Sequence, residues 1–86
     1  MKGSGEKKAV VRLCELGIGD RGRLKRSETC GTLRRRLLDM GFIEGAEIEC
    51  VGKSPMGDPA AYFVRGAVIA LRKRDSRAIT VDTERG

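Results

Sequence analysis

The side chains that usually carry catalytic or metal chemistry are few in this chain and widely separated. It contains no His, which is the commonest general base and the commonest transition-metal ligand in proteins. Its cysteines, Cys14, Cys30 and Cys50, never form a C-x-x-C pair, and the acidic residues form no evident group. A weak metal site would require Cys14 and Cys30 to meet in space, which their spacing does not favour. We therefore predict no catalytic residues, no metal ligands and no enzymatic activity.

A short loop framed by two prolines is the first candidate for binding another molecule. The run is Pro55, Met56, Gly57, Asp58 and Pro59. Proline fixes its own backbone angle and cannot donate a ladder hydrogen bond, so the run predicts a loop. A rigid backbone that exposes a flexible Met side chain suits contact with a partner. The alternative, supported about equally, is a tight turn between two strands, with Asp58 stabilising the turn.

A basic surface is the second candidate. The formal net charge is +6, and residues 1–36 carry 11 Lys and Arg against 4 Asp and Glu. Residues 37–86 carry 7 against 8, and the densest basic run is Arg34–Arg36. Such a surface favours an acidic partner, nucleic acid or an anionic membrane surface. It also serves simply to keep a protein in solution, and this alternative stays open for each Lys or Arg.

Few aromatic side chains are present to stack on nucleic-acid bases. The chain has only Phe42, Tyr62 and Phe63, and the strand pattern places Phe63 inward. Proteins that bind single strands normally supply aromatic platforms, and phosphate contact by Arg34–Arg36 alone would be nonspecific. We predict no specific nucleic-acid partner.

One helix is predicted from leucine spacing. Leu33, Leu37 and Leu38 recur at helical intervals, which places one apolar stripe inward. We expect Thr32 to cap the start of this helix through its hydroxyl. We expect Gly41 to end it in the left-handed conformation that glycine adopts without strain.

Short strands account for most of the remaining chain, with an extended segment over residues 9–13 and a charged turn over residues 73–77. The expected strands lie at residues 23–26, 46–53, 60–65, 68–72 and 78–82. The side chains expected to face the core are Leu24, Cys50, Phe63, Ile69, Leu71, Ile79 and Val81. Closely spaced turn signals indicate a mostly β fold, a small antiparallel barrel of about five strands with one short helix at about 32–40.

The order of the motifs resembles one known family. The segment LRRRLLDMGF, followed by SPMGDP and then VRGAVIALR, is similar to the ferrous iron transport protein A family (FeoA). The resemblance covers about Leu13 to Val81. It implies an SH3-like barrel whose helix is inserted between early strands, and a single FeoA-like domain over residues 9–82. We expect residues 1–8 to be a disordered tail and residues 83–86 to fray.

The resemblance also implies a role. Members of this family look like cytosolic accessory proteins of a membrane permease, ferrous iron transport protein B, which carries a cytosolic GTP-binding domain. The resemblance then implies a protein-binding module, peripheral to the membrane only through that partner. Arg65, Arg72 and Arg34–Arg36 become candidates to meet acidic residues on the partner. An association with ferrous iron is implied by the family resemblance alone, because the sequence shows no set of metal ligands. We predict no cofactor.

Two alternatives stay open at this point. A similar SH3-like domain is found fused to metal-dependent repressors, which would make this chain a metal-binding or metal-sensing domain. A small barrel that binds nucleic acid nonspecifically is the other. We expect a cytoplasmic location, because the sequence has no apolar run near the length of a membrane span and no apolar signal-peptide segment.

Overall fold

The structure, a computed structural model, describes residues 8–84. Six strands, two short α-helices and one 3₁₀ helix follow one another along the chain. The strands are β1 (Lys8–Arg12), β2 (Arg21–Ser27), β3 (Glu47–Lys53), β4 (Ala60–Val64), β5 (Ala67–Leu71) and β6 (Ile79–Glu84). The 3₁₀ helix (Leu13–Glu15) follows β1, α1 (Gly31–Asp39) lies between β2 and β3, and α2 (Lys73–Ser76) lies between β5 and β6. The mostly β prediction is confirmed, with β1 as a strand beyond the expected five.

All six strands form one antiparallel sheet. Their order across the sheet is β1-β6-β2-β3-β4-β5, so β1 and β5 lie at its two edges. The register of β2 against β6 shifts between Leu24 and Arg26, and that of β3 against β4 shifts between Cys50 and Gly52. Such bulges bend a strand and increase its twist, which helps a single sheet to curl around one core.

The core is made by alternate residues of the strands and by the segments that cover them. Ile48 and Cys50 of β3 and Ile79 and Val81 of β6 are each fully buried. This alternation is what a strand with one buried face requires. The predicted inward positions of Cys50, Leu24, Leu71, Ile79 and Val81 are confirmed.

The predicted helix is confirmed, and its end is built as the sequence indicated. Gly41 has φ +103 and follows the last helical turn. The N–H of Phe42 donates to the carbonyl of Leu37 at 2.9 Å, and that of Gly41 donates to the carbonyl of Leu38 at 3.1 Å. These two bonds are the Schellman arrangement, and the buried Phe42 and Leu37 supply the apolar contact that accompanies it.

Two details of the helix prediction are wrong. The residue that precedes the helix is Cys30 rather than Thr32, and no side chain caps the first turn. The helix begins at Gly31, so Thr32 lies inside it. Leu38 is 43% exposed because Leu37 occupies the position that faces the core, and the next residue lies about 100° further around the helix. Leu33 is partly buried, less than Leu37, and packs against the core.

The predicted orientation of β4 is also wrong. Tyr62 and Val64 face inward, while Phe63 is 43% exposed. The register decides this orientation, because Cys50 lies opposite Tyr62 and Ile48 lies opposite Val64, and both partners are buried. Ile69 of β5 is partly buried and packs against the core, as predicted.

The remaining differences concern turns and ends. The charged turn expected over 73–77 contains the one-turn helix α2. β6 continues past the predicted boundary at Asp82, and Thr83 is buried, its hydroxyl donating to the carbonyl of Arg21 at 2.7 Å. Residues 83 and 84, which were predicted to fray, belong to β6. β1 begins at Lys8, and the rest of the tail predicted over 1–8, like residues 85–86, lies outside the described residues.

Candidate partner-binding surfaces

The β4–β5 hairpin separates the candidate binding residues into two groups. Pro59 precedes β4 and Arg72 follows β5, so both lie at one end of the hairpin. Arg65 lies in the turn at the opposite end. The five residues of β4 lie between Pro59 and Arg65, which are therefore about 20 Å apart along the strand. We call Pro55–Pro59 with Arg72 the loop surface, and Arg34–Arg36 with Arg65 the helix surface.

The loop surface is a closed turn that exposes one large apolar side chain. The N–H of Ser54 donates to the carbonyl of Pro59 at 3.0 Å, and the N–H of Gly57 donates to the carbonyl of Ser54 at 2.7 Å. Gly57 has φ +85, a conformation that favours glycine. Met56 is 91% exposed, so its predicted exposure is confirmed. The turn geometry and the exposed Met are compatible, because the backbone closes the turn without using the Met side chain.

Asp58 fixes the loop to the next helix. Its Oδ1 accepts a hydrogen bond of 2.9 Å from the backbone N–H of Lys73, at the start of α2. The turn-stabilising alternative predicted a bond between Asp58 and the backbone of its own loop. The observed bond instead joins the loop to α2. The bond holds the loop against the start of α2, while Asp58 itself remains exposed.

A small cleft lies beside the loop surface. Its volume is about 230 Å³, and its lining includes Cys14, Met56, Tyr62, Leu71 and Ser76. Burial raises the pKa of the Tyr62 phenol above its ordinary value. Cys14 is half-buried here, whereas Cys30 is exposed and Cys50 is buried.

The helix surface does not present its three arginines together. Arg34, Arg35 and Arg36 are all exposed, but successive residues of a helix point about 100° apart. Only Arg34 lines the cleft of about 220 Å³ between α1 and β2, together with Lys25 and Leu38. Within residues 8–84, none of the four ion pairs includes these arginines, which leaves their charge available to a partner.

Arg65 belongs to the helix surface because its stem lies over the end of α1. A Cβ placed on Gly41 would come within 2.5 Å of the Arg65 Cδ. Arg65 and Gly66 have φ +50 and φ +87, which are the values of a two-residue type I′ hairpin turn. Arg65 also lines a shallow cleft with Glu47 and Phe63.

One exposed apolar region was not predicted. Phe63 and Val68 lie opposite each other on the outer face of β4 and β5, and Val68 is 64% exposed. The signal was present in the sequence, since β4 and β5 are apolar at consecutive positions instead of alternating with polar residues.

The described part of the chain offers little to a metal ion. Among residues 8–84, no three His, Cys, Asp or Glu side chains lie close enough together to hold one. No helix in the same range is long and apolar enough to cross a membrane.

Comparison with known proteins identifies the family. The FeoA domain profile matches residues 11–83. A fusion protein of Porphyromonas gingivalis, described as an Fe(2+) transport protein A/Fe(2+) transporter FeoB fusion, is 38% identical over 72 residues. That match takes in 84% of this chain but only 8% of the fusion protein's length.

Solved structures are similar over the same region. The FeoA protein of Chlorobium tepidum superposes with a TM-score of 0.81 at 32% identity, covering 85% of this chain and 70% of the other. FeoA of Stenotrophomonas maltophilia, a zinc complex described as an SH3 domain protein, gives 0.72 at 28% identity, covering 84% and 89%. The predicted SH3-like fold is thus confirmed, and the chain belongs to the FeoA family.

Proposed function

We propose that this chain is an accessory protein of ferrous iron uptake that binds the cytosolic portion of a ferrous iron transport protein B permease. The observation that carries this proposal is the Porphyromonas gingivalis relative, in which a similar domain and the FeoB transporter share one polypeptide. The proposed role is that of a binding module without catalytic activity of its own, on the cytoplasmic side of the membrane.

The fusion supports the proposal by a physical argument. Two modules joined by a short flexible linker meet at an effective concentration in the millimolar range, so even a weak contact between them is occupied. The exposed side chains of the loop and helix surfaces are our candidates for such a contact.

The loop surface is our proposed primary contact. Met56 is almost fully exposed on a turn whose backbone is closed by its own hydrogen bonds, so a partner meets a fixed backbone and an adaptable side chain. Arg72 adds a positive charge at the same end of the hairpin. The helix surface, with Arg34–Arg36 and Arg65, is proposed as a second contact for acidic residues of the partner, which would raise the association rate.

We also propose that the chain acts without a resident metal ion. The donor chemistry supports this: the chain has no His, Cys50 is buried, and the described residues contain no cluster of three suitable ligands. Ferrous iron is then the cargo of the permease rather than a cofactor of this chain.

Substitution of Met56 tests the proposed contact. We expect Met56→Asp to weaken binding to the cytosolic GTP-binding domain of the matching permease by about tenfold or more, as truncation of an interface anchor does. Ile18→Asp makes the same change of polarity and charge at a residue that is 65% exposed on another loop, and we expect it to bind normally. Calorimetric titration gives both affinities, and circular dichroism checks both folds. Equal affinities for Met56→Asp and the unaltered chain would remove the loop surface from the proposal.

A further inference from the structure

The strand at one edge of the sheet lacks the features that usually protect such an edge. β5 pairs with β4 on one side, and across residues 8–84 no strand pairs with its other side. Its sequence, AVIAL, contains no charge and no proline, and its register against β4 has no bulge. Natural proteins normally place lysine, proline or a bulge on an exposed edge, because unpaired backbone groups otherwise recruit another strand.

The geometry of the hairpin shows which backbone groups are available. Its turn has two residues, so Val64 and Ala67 close the hairpin as a hydrogen-bonded pair. Hydrogen-bonded and non-hydrogen-bonded pairs alternate along an antiparallel ladder. The N–H and C=O groups of Val68 and Ala70 therefore point away from β4, towards the open edge.

Apolar side chains lie next to this edge. Val68 is 64% exposed and Phe63, its partner across the hairpin, is 43% exposed on the same outer face. Cross-strand apolar pairs are a main source of stability between strands. A strand added beside β5 would thus gain side-chain contacts as well as backbone hydrogen bonds.

The charges at both ends of β5 indicate what kind of strand fits. Arg65 lies before it, and Arg72 and Lys73 follow it; in the described chain none of the three takes part in an ion pair. A second copy of this chain added antiparallel would place Arg65 of one copy near Arg72 of the other. A parallel copy would place each arginine near its equivalent. Like charges opposite each other are destabilising, so the β5 edge disfavours a second copy of this chain. It favours a strand that carries an acidic residue at each of its ends.

We propose that the β5 edge binds an extended segment of a partner protein, which adds to the sheet as a further strand. The segment has an apolar or β-branched centre and an acidic residue at each end. This inference goes beyond the proposed function and does not depend on the identity of the permease.

A synthetic peptide tests this directly. The probe is a capped peptide in which Val-Thr-Val-Thr-Val lies between two Asp-Glu pairs, added to the ¹⁵N-labelled full chain. We expect saturable shifts of the Val68 and Ala70 amides, slower hydrogen exchange at these two amides, and weaker binding as salt is added. A peptide with Lys-Arg pairs at its ends serves as the charge control, and we expect at least tenfold weaker binding from it. A peptide with Pro-Pro at its centre lacks one backbone N–H donor on each of its two edges, and we expect it not to bind.

A pair of variants tests the backbone contact from the protein's side. Ala70→Pro removes an N–H that faces the open edge, a position where a strand tolerates proline, and should weaken binding of the acidic peptide about two- to tenfold. Ala70→Val keeps the N–H and should bind as the unaltered chain does.

Several results would overturn the proposal. These are no binding of the acidic-ended peptide to the unaltered chain, equal binding of the three peptides, shifts centred away from β5, or a dimer through β5 in sedimentation experiments. The peptide comparison uses the unaltered chain, so it decides the matter even if Ala70→Pro does not fold.

Discussion

Gly41 occupies the point where the helix, the hairpin turn and the core meet. Its φ of +103 ends α1, and its missing side chain leaves room for the stem of Arg65. Glycine is needed here for two separate reasons, the backbone conformation and the close approach.

Gly41→Ala should therefore lower the free energy of unfolding, and it should do so more than a substitution that only strains the backbone. A left-handed conformation costs a non-glycine residue about 1–2 kcal/mol. Gly45→Ala is the matched control, since Gly45 has φ +88 with nothing within 4 Å of the added Cβ. Urea denaturation measures both. A Gly41→Ala variant as stable as the unaltered chain would contradict the described end of α1.

Tyr62 provides a spectroscopic test of burial, because it is the single Tyr in a chain without Trp. Burial raises the pKa of its phenol, so absorbance titration should give a midpoint above about 10 in the folded protein and near that value in denaturant. The folded state holds this proton more tightly than the unfolded chain does. The stabilisation from Tyr62 is therefore complete below pH of about 10 and is lost as pH rises through the folded-state pKa.

Tyr62→Phe isolates this contribution from other groups that titrate at high pH. The difference in stability between the two proteins should change with pH above the ordinary Tyr pKa. Identical midpoints in the folded and denatured states would show that Tyr62 is not buried as described.

At the scale of elements, α1 is held to the sheet mainly by Leu37. This side chain is 2% exposed and belongs to the core cluster, whereas the neighbouring Leu38 is 43% exposed. We expect Leu37→Ala to destabilise the fold by about 2–5 kcal/mol, the range for truncating a buried Leu. Leu38→Ala, the matched control, should change the melting temperature far less. Similar losses from both would mean that α1 packs in another orientation.

The same pair of leucines shows what sequence alone could predict. Spacing identified the helix, and Gly41 identified its end, because both are local properties of the chain. Which leucine faces inward depends on how α1 lies against the sheet, and this is a tertiary property.

The strands repeat this division between local and tertiary information. Alternation in β6 identified Ile79 and Val81 as core residues. In β4 every residue is apolar, so the sequence pattern does not indicate which alternate residues face the core. Pairing with the buried residues Ile48 and Cys50 of β3 determines that Tyr62 faces inward.

At the scale of the whole molecule, the candidate residues were predictable as residue types but not as groups. Composition and turn chemistry selected Pro55–Pro59 and Arg34–Arg36. The hairpin register places Pro59 and Arg65, one residue from each surface, at opposite ends of β4, about 20 Å apart along the strand. A single partner that contacts both of these residues must therefore span the length of β4.

The most direct test of the proposed function is an amide NMR titration of this chain with the cytosolic GTP-binding domain of the matching permease. We predict shifts concentrated at Met56, Gly57 and Asp58 and on Arg34–Arg36, and no specific shifts when ferrous iron is added anaerobically to a separate sample. Saturable shifts around Cys14 and Cys30 with iron, together with none on addition of the domain, would contradict the account and indicate an iron-binding protein instead.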